Sequence, residues 1–80
     1  METELIFERI QNIVVDEIGL SPEEITMESS FSNDLGVDSL LLAELIMRIE
    51  DDFKIIIPDG DAEKIVTVQD AVSYISSVMD

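Results

Sequence analysis

The chain reads as an all-α bundle with three main helices, one short helix and a long first loop. Three observations predict it. Apolar residues recur at three- and four-residue steps over three separate stretches. Helix-start residues stand ahead of the later two, Asp38 before Ser39 and Thr67 before Val68. The one β-branched run, Lys54-Ile55-Ile56-Ile57, has no second strand to pair with. It is expected to be an extended, partly buried connection.

The first helix is expected from Leu5 to Ile18, with Leu5, Ile6, Ile10, Ile13, Val14 and Ile18 forming its buried stripe. Gly19 follows as a C′ residue and stops it. Ser21-Pro22-Glu23-Glu24 then carries N-cap, N1 proline and first-turn acids, which predicts a short helical turn before Ile25. From Thr26 to Val37 the chain is a loop, long for its size, with Met27, Phe31 and Leu35 as apolar pins to the core.

The second helix is expected from Ser39 to Asp52. At about 100° per residue, Leu42, Leu45, Ile46, Ile49 and Phe53 share one arc, the core face. Leu40, Ala43 and Met47 share another, nearer Ser39, with Glu44, Arg48 and Asp51 beside or behind it. A second apolar stripe is either packed on a neighbouring helix or presented to a partner. Pro58 to Ile65 gives a turn and the short helix, and Thr67-Val68-Gln69-Asp70 resembles a capping box with Asp in place of Glu. The last helix turns Val68, Ala71, Val72, Ile75 and Met79 inward. One domain over residues 1–80 is expected, without repeats or linkers.

Composition removes several function classes. There is no Cys and no His among the 80 residues, so thiolate nucleophiles, most zinc sites and the commonest general base are missing. The chain is not expected to be an enzyme. Four cations (Arg9, Arg48, Lys54 and Lys64) stand against 19 acids, a net charge of −15. Nucleic acid and anionic membrane surfaces are disfavoured, and partners with basic patches are favoured. Such a charge also argues for a monomer. No apolar run approaches membrane length and no leader is visible, which makes the cytoplasm the expected location. Asp59 and Asp61 fail the spacing of a calcium loop, and no metal site is expected.

The chain is organised around Leu35-Gly36-Val37-Asp38-Ser39-Leu40, a glycine-containing loop running into a helix. Asp38 is placed to cap that helix, and Ser39 has its hydroxyl at the positive end of the macrodipole. Ser39 is thus a candidate to carry a phosphate ester. Asp38-Ser39 as a simple capping pair is the competing reading.

That run, followed by Glu44-Leu45 and Glu50-Asp51-Asp52-Phe53, resembles the acyl carrier proteins. Ile57-Pro58-Asp59, Ala62-Glu63-Lys64-Ile65 and Thr67-Val68-Gln69-Asp70-Ala71-Val72 continue the resemblance to Tyr74-Ile75, in order and without large gaps. The resemblance implies the four-helix bundle of that family and Ser39 as the attachment site of 4′-phosphopantetheine. The group would come from coenzyme A by a phosphopantetheinyl transferase, and acyl chains would ride on its thiol. It further implies sheltering of the chain between helices and docking to acyl-processing enzymes of fatty-acid synthesis. Leu40, Leu41, Ala43, Glu44, Met47 and Asp51 are the expected partner face, with Asp38 as motif residue and cap. Leu41 departs from the family, which commonly has an acid there. A carrier for a secondary pathway, with polyketide, aminoacyl or D-alanyl cargo, and an unmodified acidic interaction domain are the alternatives.

Overall fold

The computed structural model describes residues 2–79, and among them every regular element is helical. Helix α1 covers Thr3–Ile18 and stops at Gly19, whose φ of 74° is left-handed and whose N–H donates to the Val15 carbonyl at 2.9 Å. Lacking a Cβ, glycine takes that conformation at no steric cost. Ile6, Ile10, Ile13 and Val14 are its buried residues. Leu5 does not join them, being 49% exposed. On a helical wheel it falls well outside the arc of those four.

A 3-10 turn at Pro22–Glu24 follows, and the Glu24 carboxylate accepts from the Ser21 N–H at 2.9 Å. The long loop behaves as expected at its pins: Phe31 and Leu35 are buried and Met27 is half-buried. Ile25 and Val37 are further pins. Gly36, at φ 69°, turns the chain so that the Val37 N–H reaches the Phe31 carbonyl at 2.8 Å.

Helix α2 is Ser39–Phe53, one residue longer than expected, and buries Leu45, Ile46, Ile49 and Phe53. Lys54 closes it in the left-handed conformation, φ 57°. The chain from there to Pro58 has no regular structure, with Ile57 buried, Ile55 half-buried and Ile56 81% exposed. Helix α3 is the short one, Asp59–Ala62. Helix α4, Val68–Met79, buries Val68, Ala71, Val72 and Ile75. Met79 is a correction. The wheel turns it inward, yet it is 36% exposed, because it ends the helix beyond the residues that α4 packs against.

Helix α1 packs on both α4 and α2. The first turn of α4 is closed by the long loop, since the Val68 N–H donates to the Ser29 carbonyl and the Gln69 N–H to that of Met27. Phe31 N–H to the Val66 carbonyl completes an isolated antiparallel bridge between Ser30 and Thr67. These bonds satisfy the loop's buried backbone and explain how a dozen irregular residues stay attached to a small core. The expected capping box also forms: Asp70 accepts from Val66 N–H and Thr67 N–H, and Thr67 Oγ1 accepts from Asp70 N–H.

Candidate functional site

Ser39 is the first residue of α2 and is exposed. Asp38, extended at φ −83° and ψ 179°, is the N-cap, and its Oδ1 accepts from the Leu41 N–H at 2.8 Å. The cap therefore belongs to Asp38, and the Ser39 hydroxyl is left at the open mouth of the helix. The helix field favours the carboxylate in the capping position, and it would likewise favour an anion carried on the hydroxyl one residue later.

Ser39 also lies on the rim of a groove of about 490 Å³ between α2 and the α3 segment. Leu42, Ala43, Ile46 and Met47 line it from α2, and Ile57 and Ala62 line it from the other side. Carboxylates of Glu50, Asp59 and Glu63 edge it. Eleven residues of helix separate Ser39 from Glu50, about 16 Å at 1.5 Å per residue. The space is lined mainly by hydrocarbon, with a hydroxyl at one end.

Leu42, expected on the core face, is half-buried and faces this groove. The helical wheel puts it in the middle of the core arc, so its exposure comes from the groove that opens over this part of α2: one side of Leu42 meets the core and the other the open space. Of the expected partner face, Leu40 is 70% and Met47 63% exposed, and Ala43, Glu44 and Asp51 are exposed as well. Leu41 is set apart from these, half-buried and packed against the core. Asp51 shares the face but not the neighbourhood of Ser39, since twelve residues of helix put it about 18 Å away.

The opposite flank of α2 is tied to α1 by ion pairs. Arg48 Nη1 lies 3.0 Å from both Asp16 Oδ2 and Glu17 Oε1. Those hydrogen bonds, first to Glu17 and then to Asp16, push the Arg48 guanidinium above its ordinary range. Arg9 reaches Asp52 from α1. Both arginines are thereby committed to the bundle, which leaves the Leu40–Met47 side bordered by acids. Among the described residues no group of three or more acidic side chains could hold a metal ion, and no helix is long and apolar enough to cross a membrane.

The sequence did not reveal the far wall of the groove: Asp59, Ala62 and Glu63 belong to it, facing Glu50 of α2. Their only signal was the spacing of the short helix, which does not say which side it packs on.

Residues 8–75 match the family described as phosphopantetheine attachment site. The chain is also 48% identical over 73 residues to a protein from Clostridium acetobutylicum called acyl carrier protein. That stretch covers 91% of this chain and 95% of the relative.

Proposed function

The chain belongs to the acyl carrier protein family, whose members bear a 4′-phosphopantetheine prosthetic group, and on that premise we propose that Ser39 is its attachment residue here. The observation that carries this reading is the exposed Ser39 hydroxyl at the mouth of α2, on the rim of an apolar groove. The site fits the group. The hydroxyl is open to a phosphopantetheinyl transferase, the helix start favours a phosphodiester, and a slender arm has the groove beside it. When bound, the group supplies a thiol on which an acyl chain is held as a thioester.

The chain's own residues then divide the work. Asp38 holds the first turn closed, so Ser39 is spared a structural duty. Leu42, Ile46, Met47 and Ile57 exclude water from hydrocarbon cargo entering between α2 and α3. Leu40 and Met47 are apolar anchors, and Glu44 and Asp51 steer enzymes with basic patches onto them. The protein carries and presents, and its partners do the chemistry. We place it in the cytoplasm as a monomeric carrier of one domain, serving fatty-acid synthesis.

Leu41 favours a second reading, a carrier for a specialised pathway with polyketide, aminoacyl or D-alanyl cargo. An apolar side chain, turned partly onto the core, stands where an acid is common, so the docking face has one carboxylate fewer. Intact mass after incubation with coenzyme A and a broad-specificity transferase tests the attachment. A gain of one phosphopantetheine unit, absent in Ser39→Ala, is expected; no gain on protein shown to be unmodified at the outset would reject it. Loading of the product by a malonyl transferase of fatty-acid synthesis, compared with aminoacyl loading enzymes, then separates the two pathways.

A further inference from the structure

The groove beside Ser39 has walls of unequal strength. Helix α2 is 15 residues long, capped by Asp38 and packed on α1. Helix α3 has four residues, Pro58 gives it no side-chain cap, and Gly60 lies inside it. A helix that short is not self-supporting, and an interior glycine weakens it further.

Two side chains from other helices hold it. Glu50 of α2 reaches across the end of the groove, its Oε2 accepting from the Ile57 N–H at 2.7 Å. Tyr74 of α4 comes from behind, its hydroxyl donating to Asp61 Oδ2 at 2.9 Å. Buried Ile57 and Ile65 anchor the chain on either side of α3, whereas Asp61 is inside the helix itself. The Tyr74 phenol is raised above its ordinary range, first by the bond to Asp61 and then by burial, which keeps it the donor.

We propose that Tyr74 is a positioning residue for the groove: by holding Asp61 from α4 it fixes the α3 wall and so sets how closely that wall shelters an acyl chain. The cargo half of this inference rests on the carrier reading above. The latch itself is a property of the unmodified chain.

Tyr74→Phe keeps the ring and removes only the hydroxyl. In unmodified protein, amide exchange by NMR, with water-saturation transfer for fast sites, should rise roughly tenfold at Asp61, Ala62 and Glu63. Amides inside α1 should be unchanged. Asp61→Ala should match it, Asp61→Asn should restore slow exchange through its amide oxygen, and the double variant Tyr74→Phe/Asp61→Ala should add nothing. A uniform rise throughout the bundle would mark Tyr74 as merely structural and overturn the proposal, as would no rise at all. On protein loaded at Ser39 with an octanoyl chain, hydroxylamine should cleave the Tyr74→Phe thioester several-fold faster than that of the parent. Equal cleavage would remove the role in sheltering cargo. Failure to load would instead count against Ser39 as the attachment residue and leave the exchange result standing.

Discussion

Arg9 on α1 and Asp52 near the end of α2 form a two-point clamp: Nε and Nη2 lie 2.9 and 2.7 Å from Asp52 Oδ2, and Nη2 also donates to the Asp52 carbonyl at 2.8 Å. The guanidinium lies over the Phe53 ring, 4.3 Å from its centroid. One side chain thus pairs a charge, satisfies a carbonyl of the last turn and covers an aromatic ring. Each side chain of the pair is more than a third exposed, so solvent screening keeps the charge part small. Adding the cation–π contact, Arg9→Ala should cost about 1–2 kcal/mol by denaturant unfolding. Arg9→Lys should recover less than half of that, because an ammonium cannot make the forked contact and lie flat on the ring together. Full recovery by Lys would reduce the clamp to a point charge.

The fold class and the serine were legible because both are written in local pattern. Ser39 follows a capping acid, and the stripes of α1, α2 and α4 repeat at helical spacing. The ends of stripes were not legible. Met79 falls on the buried arc of α4, but whether a facing element extends that far is set by tertiary packing, whereas Leu5 is exposed simply because it lies outside the arc of α1. Lys54 was invisible as a helix terminator, since nothing in a lysine announces a left-handed φ. Nor could the sequence say that Glu50 would bond the Ile57 N–H, because the contact depends on how an irregular segment folds back.

Ser39→Ala should leave stability within about 0.5 kcal/mol of the parent, because Asp38 supplies the cap. Asp38→Ala should cost about 1 kcal/mol, since the Leu41 N–H loses its acceptor. Thermal unfolding of the two variants checks the division of roles. A larger loss from Ser39→Ala than from Asp38→Ala would overturn it.

Salt should stabilise this protein. A net charge of −15 on 80 residues gives long-range self-repulsion, while Arg9 and Arg48 contribute only short, local pairs. Raising ionic strength from about 0.01 to 0.15 M shortens the screening length from roughly 30 to 8 Å, which weakens repulsion more than contact pairs. The melting temperature should therefore rise with added sodium chloride. A flat or falling curve would mean that the ion pairs outweigh the net charge.

Lys54→Gly should stabilise the fold. Lys54 has the left-handed conformation with its N–H bonded to the Glu50 carbonyl, and a side chain there costs about 1 kcal/mol relative to glycine. Removing a lysine also loses a favourable charge at the helix C-terminus, worth about 0.3 kcal/mol at an exposed site. The backbone effect is larger, so a gain of roughly 0.5 kcal/mol is expected. A measured loss would show that the charge outweighs the backbone.

The pH dependence of stability should carry the mark of Asp70. Its carboxylate lies below the ordinary value of 3.8, first because the Thr67 N–H and then because the Val66 N–H donates to it. A folded-state value below the unfolded one means that the unfolded chain takes up the proton first. The stabilisation is therefore complete above the unfolded value and is lost as pH falls through it towards the folded one. Lowering the pH towards the chain's isoelectric point of about 4.1 relieves acid repulsion over the same range and works the other way. Comparison with Asp70→Asn isolates the cap, because an amide oxygen still accepts from both N–H groups but does not titrate. The stability difference between parent and variant should be constant from pH 7 to about 5 and shrink below that. A difference that stays constant down to pH 2.5 would mean that the Asp70 carboxylate contributes no more to the folded state than the amide that replaces it.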